Sequence, residues 1–258
     1  DHLIVLPFND ERALVAAFAE HGDTVAALLL EPINYDQGCV MPHPGFLQAC
    51  RSLCDRHGVL LFFDEVLTAF RVAPGGAQEK LGVTPDLCVL GKAFGAGMPI
   101  SALAGRRAVM EHLQPLGSCQ MSGTFLAHPT AVLAALAALE EYASAGFYQR
   151  LDTLCAGFFA GFQAAIERSG VVLRLQHAGP RFGLYFGVRG EVDSYRKAAA
   201  RNLDAERCFV RACYDRGVFF QPAAHHGFSA VHGKAELDLA LVAIEAALAE
   251  VRAAGYAG

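Results

Sequence analysis

The sequence has no basic excess, since 21 Lys and Arg residues against 26 Asp and Glu give a formal net charge of −5. This balance excludes the electrostatic footprint of a protein that binds nucleic acid or anionic lipid. No apolar stretch reaches the length of a membrane span and no signal-like segment opens the chain, so we expect a soluble, cytoplasmic protein. Disorder is excluded too, because 53% of the 258 residues are hydrophobic and only 18% are charged.

The chain also lacks a disulfide framework, a metal motif and a nucleotide fingerprint. Its eight cysteines are scattered through apolar segments, which is typical of reduced, buried thiols. Cys50 and Cys54 are four apart on a predicted helix and would suit a metal, but no second ligand pair follows, so no metal is predicted. The glycines at 75–76 and 95–97 do not have the spacing of a phosphate-binding loop for nucleotides.

Three apolar runs end in charged residues. The runs 25–30, 59–63 and 87–91 are followed by Glu31, by Asp64 and by Lys92, and helix-like segments such as 44–57 separate them. This alternation predicts parallel strands joined by helical crossovers, hence an α/β fold. In such sheets the carboxyl ends of the strands form the ligand-binding edge. We therefore expect Glu31, Asp64 and Lys92 to lie along one edge.

A strand-end lysine facing a strand-end acid fits the chemistry of pyridoxal 5'-phosphate. Desolvation of Lys92 would lower the pKa of its amine and make it a nucleophile able to form a Schiff base. The carboxylate of Asp64 would keep the cofactor's pyridine nitrogen protonated. The alternatives are that Lys92 extends into solvent, and that Asp64 caps the following helix or pairs with Arg71.

An ordered series of motifs resembles the class III aminotransferases, and within them the glutamate-1-semialdehyde aminomutase branch. The motifs are residues 63–71, 76–79, 84–87, 90–92 and 97–99, and the resemblance extends from residue 1 to about residue 250. It implies a fold-type-I pyridoxal-phosphate enzyme acting as a homodimer on an amino donor and a carbonyl acceptor.

The resemblance also implies roles for individual residues. Lys92 would be the Schiff-base lysine, Asp64 the partner of the pyridinium, and Val66 a contact to the ring face. Thr124, with the backbone near Gly123, would reach the cofactor phosphate of the neighbouring subunit. The alternative for Thr124 is an ordinary loop residue before a helix. Glu31 completes the predicted cofactor-binding set.

Two departures from the family pattern bear on the reaction. The stretch 33–37 carries Asp36 near the position where the branch places an asparagine, and His225 and His226 stand where aminomutases carry a gating glutamate. The adjacent histidines predict a loop at the active-site mouth. Transamination is therefore the expected reaction, with a semialdehyde aminomutase as the alternative. Because roughly the first third of a family member is missing, a catalytically incompetent fragment or assembly partner is a further alternative.

The pattern changes once along the chain, which predicts two domains. Residues 1–143 form the cofactor-binding α/β domain, incomplete at its amino terminus, and residues 144–258 form an α+β domain. For the second domain we expect helices at 148–169, 198–216 and 234–253 and strands at 171–175, 181–188 and 217–221.

Overall fold

A computed structural model describes residues 2–221 and 225–256. The chain forms two compact units, one of residues 1–33 and 42–147 and the other of residues 34–41 and 148–258. The predicted boundary between residues 143 and 144 lies near the end of the first unit, but the assignment of 34–41 to the second unit was not anticipated. No helix within the described ranges has the length and apolarity needed to span a bilayer.

The first unit is a four-stranded mixed sheet with helices. Its elements are α1 (Glu11–His21), β1 (Ala27–Leu30), α2 (Phe46–His57), β2 (Leu60–Asp64), α3 (Gly76–Leu81), β3 (Leu87–Leu90), β4 (Ala102–Gly105), α4 (Arg107–Met110) and α5 (Pro129–Tyr142). The strands lie in the order β1-β2-β3-β4; the first three are parallel and β4 is antiparallel to β3. The predicted α/β architecture with a mostly parallel sheet is confirmed.

One face of this sheet carries the core. Leu61 and Phe63 of β2 are fully buried and pack with apolar residues of α1 and α2, such as Phe18 and Leu53. Leu60, Phe62 and Asp64 alternate with them and are only partly buried. Because successive side chains of a strand point to opposite faces, Asp64 lies on the face away from α1 and α2.

Glu65, the residue after β2, is a buried structural anchor. Its side chain is 0% exposed and accepts hydrogen bonds from the Thr68 hydroxyl, the Ala77 amide, and both the backbone and side-chain amides of Gln78, at 2.6–3.1 Å. These bonds satisfy a buried carboxylate and fix the start of α3 beside the end of β2. Gly76 makes the approach possible, since a Cβ there would lie 2.2 Å from Glu65 Oε2.

A second buried carboxylate, Asp86, fixes the start of β3. It is 1% exposed, accepts the Leu61 amide at 2.8 Å, and forms ion pairs with Arg51 (2.8 Å) and Arg106. Burial alone would raise the pKa of Asp86, but the Leu61 hydrogen bond and the two arginines outweigh it and hold the pKa below its ordinary value.

The second unit is an antiparallel sheet covered by helices. Its elements are α6 (Phe147–Ser169), β5 (Leu173–Ala178), β6 (Arg181–Phe186), α7 (Tyr195–Ala199), α8 (Leu203–Tyr214), β7 (His225–Gly227) and α9 (Lys234–Ala253), with strand order β5-β6-β7. Residues 34–41 join it through side chains. Tyr35 donates to the Ala178 carbonyl, the Cys39 amide donates to the Tyr185 hydroxyl (2.8 Å), and Gln176 donates to the Cys39 carbonyl (2.9 Å).

Three predictions for this unit were wrong. Residues 217–221 do not form a strand; instead His225 and His226, expected in a loop, form β7 by pairing with Gly183 and Phe182 of β6. The helix predicted over 198–216 is divided into α7 and α8. The division occurs at Asn202, whose side chain accepts the amides of Asp204 and Ala205 and so begins a new helix.

Replacing Gly76 tests the Glu65 anchor. Gly76 and Gly82 both have positive φ, 75° and 67°, but a Cβ at Gly82 would meet nothing within 4 Å. We expect Gly82→Ala to cost about 1 kcal/mol for the left-handed backbone alone. Gly76→Ala should cost about 2 kcal/mol more, because it displaces a buried carboxylate from its donors. Urea unfolding of both variants measures this, and equal destabilisation would contradict the role assigned to Glu65.

Replacing Asp86 tests the second anchor. At neutral pH we expect Asp86→Asn to lower the free energy of unfolding by about 3 kcal/mol, because Arg51 loses a buried partner. Asp55→Asn is the control: it removes the exposed partner of the same arginine (2.7 Å, 60% exposed) and should cost about 0.5 kcal/mol.

The effect of Asp86→Asn must also depend on pH. Because the folded-state pKa of Asp86 lies below its ordinary value, its contribution is complete above that ordinary value and is lost as pH falls through the folded-state pKa. The difference between wild type and Asp86→Asn should therefore shrink in acid. A difference that stays constant from neutral pH to strong acid would rule out an ionised Asp86 as the stabilising species.

Candidate active site

The carboxyl ends of β1, β2 and β3 bring the three predicted charged residues to one edge of the sheet. Leu30 is paired with Phe63, and Asp64 with Val89, so Glu31 and Asp64 end neighbouring strands. Lys92 follows β3 at the same edge, after Gly91. Their placement is the one expected from the sequence; their roles stay predictions.

Asp64 is partly buried, and one of its carboxylate oxygens is engaged locally. Oδ1 accepts the amide of Val66 at 3.0 Å, which caps the turn after β2. The alternative in which Asp64 caps the segment that follows it therefore holds for one of its two oxygens. Arg71, the alternative ion-pair partner, donates to the Leu67 carbonyl at 2.8 Å. Within the described ranges, no donor contacts Oδ2 of Asp64, so that oxygen is open to a ligand.

Lys92 begins a 3₁₀ turn, Lys92–Gly95, in a strained conformation. Its φ is 49°, in the left-handed region that is uncommon for residues other than glycine. The side chain is exposed, so the expectation of a desolvated amine was wrong for the described part of the chain. The reason is that Lys92 lies beyond the last residue of β3, where the core of the sheet no longer covers it. Strained residues of this kind cluster at active sites.

Aromatic side chains hold the Lys92 turn in place. The Tyr142 hydroxyl at the end of α5 donates to the Ala93 carbonyl at 2.9 Å. Phe70 stacks on Phe94 and on Tyr142, with ring centroids 6.1 and 5.7 Å apart. Burial raises the pKa of Tyr142, with Arg71 opposing, so the phenol stays protonated and can donate at neutral pH.

Val66 lies beside the backbone that precedes Lys92. A Cβ on Gly91 would lie 3.5 Å from one methyl group of Val66 and 3.6 Å from the other. The Glu65 amide also donates to the Val89 carbonyl at 3.0 Å. These contacts hold the turn after Asp64 against the backbone that leads to Lys92, so an acid, an apolar side chain and an amine lie at the ends of neighbouring strands. A protonated heterocycle bearing an aldehyde fits this set of groups.

The predicted phosphate contacts lie elsewhere in the first unit. Gly123 and Thr124 are exposed, in a turn that precedes α5. Across the described residues, no hydrogen bond joins them to Asp64 or Lys92. Sequence reasoning missed Glu65, Phe70 and Tyr142, which position the site without forming it. The only available signal was Glu65, an acid directly after a buried strand.

The chain belongs to the class-III aminotransferase family, whose model matches residues 5–232. Its fold is that of the fold-type-I pyridoxal-phosphate enzymes, as three solved structures illustrate. An omega-transaminase from Sphaerobacter thermophilus is 33% identical with a TM-score of 0.89, and the alignment covers 96% of this chain and 57% of that one.

The second structure, a transaminase with PLP bound, is 26% identical with a TM-score of 0.87 and coverage of 98% and 58%. The third, a glutamate-1-semialdehyde-aminomutase from Pseudomonas aeruginosa PAO1, is 30% identical with a TM-score of 0.83 and coverage of 96% and 56%. This chain therefore spans under three fifths of the length of the structures it matches.

Tyr142→Phe tests how the Lys92 turn is held. The substitution keeps the stacked ring but removes the hydrogen bond to the Ala93 carbonyl, which contributes about 1 kcal/mol. We expect the amides of Phe94 and Ala96 to exchange roughly fivefold faster, because the turn opens more often. Hydrogen exchange with mass spectrometry on a peptide covering 90–98 measures it. Tyr195→Phe, at a residue 68% exposed, is the control, and unchanged protection in Tyr142→Phe would contradict the role of this bond.

Proposed function

We propose that this chain carries the lysine and acid of a pyridoxal 5'-phosphate-dependent enzyme that moves an amino group between an amine or amino acid and a carbonyl compound. One observation carries the proposal. Asp64 and Lys92 follow neighbouring parallel strands at one edge of the sheet, and Lys92 occupies a strained backbone conformation. Membership of the class-III aminotransferase family, whose cofactor is pyridoxal 5'-phosphate, supports it.

Each residue of the set has a task that its position suits. Lys92 Nζ would bind the cofactor aldehyde, and Asp64 Oδ2 would accept a hydrogen bond from the pyridine nitrogen and keep that nitrogen protonated. Val66 would contact the ring, and Glu31 borders the same edge of the sheet. When bound, the cofactor withdraws electrons from the bond broken at the substrate's amine-bearing carbon. Once free of the cofactor, the Lys92 amine would remove the proton from that carbon and deliver it to the cofactor carbon that had carried the aldehyde, so that the amino group stays with the cofactor.

We further propose that two copies assemble, with Gly123 and Thr124 reaching the phosphate in the neighbouring copy. The segment around them exposes large apolar side chains. Met121, Phe125 and Leu126 are 56%, 75% and 52% exposed. Large apolar side chains exposed so close together along the chain are typical of an interface. A backbone turn presenting amides and a hydroxyl is suited to bind phosphate.

The aminomutase alternative rests on the similarity to the Pseudomonas aeruginosa glutamate-1-semialdehyde-aminomutase. Against it stands the pair His225 and His226, where that branch carries a glutamate. The alternative of an incompetent fragment or an assembly partner rests on the coverage of the solved structures. Covalent binding of the cofactor by this chain would distinguish the fragment or assembly partner from the transaminase and the aminomutase.

Covalent capture of the cofactor tests the proposal. The chain is incubated with pyridoxal 5'-phosphate, reduced with borohydride, digested and analysed by mass spectrometry. We expect the modification on the Lys92 peptide of the wild type and of the control Lys80→Ala, whose side chain is exposed on α3, and its loss in Lys92→Ala. Equal modification of wild type and Lys92→Ala, or of Lys80 and Lys92, would overturn the proposal.

A stability measurement tests whether the left-handed backbone at Lys92 lowers the free energy of unfolding. At φ 49° a glycine is unstrained, so Lys92→Gly should be more stable than Lys92→Ala by about 1 kcal/mol. At Lys80, inside α3, we expect the opposite order: Lys80→Gly should be less stable than Lys80→Ala by about 1 kcal/mol, because glycine disfavours a helix. Denaturant unfolding of the four variants measures both differences. If Lys92→Gly is the less stable of its pair, Lys92 is not strained.

A further inference from the structure

A cavity of about 560 Å³ lies within the second unit. Its walls come from α6, β6, β7 and the start of α9 and include the aromatic rings of Phe158, Phe182, Phe220 and Phe228. Arg181 and His226 line the same cavity. A cationic group and an imidazole in an aromatic cavity of this volume resemble the few polar groups of a small-molecule site.

Three nitrogen atoms in this cavity have no hydrogen-bond partner among the described residues. His226 is 5% exposed, and neither of its ring nitrogens has a hydrogen-bond partner within the described ranges. Arg181 Nε is likewise buried without a partner. Arg51 Nε is the one other buried side-chain atom of this kind in the described part of the chain. Native proteins pair such atoms, so three unpartnered nitrogens on two residues of one cavity point to a ligand.

The charge in the cavity is uncompensated. Arg181 contacts Nδ1 of His225 and lies 6.0 Å from the centre of the Tyr35 ring, but no described carboxylate forms an ion pair with it. The exposed Glu236, which also lines the cavity, is engaged by the Gly233 amide at 2.8 Å. A guanidinium stays ionised in proteins, so a partly buried one such as that of Arg181 is costly without an anion.

His226 is a neutral donor. Burial, with His225, Arg181 and Arg201 adding to it, lowers the pKa of His226 to about 3. The neutral ring offers one N–H and one acceptor nitrogen. Its ring is fixed between Phe182 and Phe220, with centroid distances of 5.3 Å to each.

We propose that this cavity binds a small carboxylic acid with an apolar, aromatic-sized tail. The carboxylate would pair with Arg181 and accept a hydrogen bond from His226, while the tail would pack against Phe158, Phe182 and Phe228. The site lies wholly within the second unit and needs neither Lys92 nor the cofactor, so it goes beyond the proposed function.

Calorimetric titration of the chain with 3-phenylpropionate tests the proposal, and 3-phenylpropanamide serves as the uncharged probe of the same shape. We expect saturable binding of the acid and at least tenfold weaker binding of the amide. Arg181→Gln should weaken the binding of 3-phenylpropionate at least tenfold. Arg189→Gln, at an exposed arginine of the same unit, should leave binding unchanged. Lys92→Ala should bind the acid as wild type does, which separates this proposal from the cofactor site.

His226→Phe provides a variant that does not depend on Arg181. It replaces two unpartnered nitrogens by carbon within an aromatic cluster, so we expect a higher melting temperature together with at least tenfold weaker binding of 3-phenylpropionate. The combination distinguishes a binding residue from a structural one, whose loss would lower the melting temperature. Absence of saturable binding to wild type, or equal binding of acid and amide, would overturn the proposal.

Discussion

Parallel pairing between β2 and β3 is the constraint on which the candidate active site depends. It sets Asp64 opposite Val89, and the Glu65 amide extends the pairing to the Val89 carbonyl one residue beyond the end of β2. Beyond that point the two strands diverge, with Asp64 as the last residue of β2 and Lys92 in the turn after β3. Glu65 then turns inward and binds the start of α3, so a single buried carboxylate fixes the path of the chain next to the acid. The reactive groups are therefore positioned by backbone hydrogen bonds and a satisfied buried charge, not by contacts between themselves.

Lys92 illustrates the conflict between stability and function in this arrangement. A lysine at φ 49° costs folding free energy that a glycine would not, and its exposed amine gains nothing from the core. Aromatic packing of Phe70, Phe94 and Tyr142 around the following residues holds the turn despite this cost. Selection for stability alone would not favour that combination, which agrees with the role proposed for Lys92, since strained residues cluster at functional sites.

The sequence predicted the strands and their charged ends because those features are local. An apolar run that ends in an acid or a lysine needs no knowledge of the rest of the chain, and the helix at 234–253 was likewise predicted by periodicity alone. Long-range features were missed. His225 and His226 form a strand only because β6 offers them a partner, and residues 34–41 join the second unit through tyrosines and a glutamine more than a hundred positions away. The exposure of Lys92 was missed for the same reason, since burial depends on everything that surrounds a residue.

The polar groups in the interior of this protein are of two kinds: some have all their hydrogen-bond partners within the protein, and others have nitrogens without a partner among the described residues. Glu65 and Asp86 are buried and fully engaged, and what they bind is the protein's own backbone and side chains. Such groups have a structural role, because their hydrogen bonds hold elements of the fold together. His226 is buried and Arg181 is partly buried beside a cavity, and nitrogens of both are unpartnered among the described residues. Apolar replacements would serve the fold better at both positions, because an unpartnered buried donor costs free energy that a methyl or phenyl group does not. A chain able to satisfy Glu65 with four donors could also satisfy Arg181. Among the described residues these nitrogens have no partner, and that observation supports the proposed carboxylate ligand.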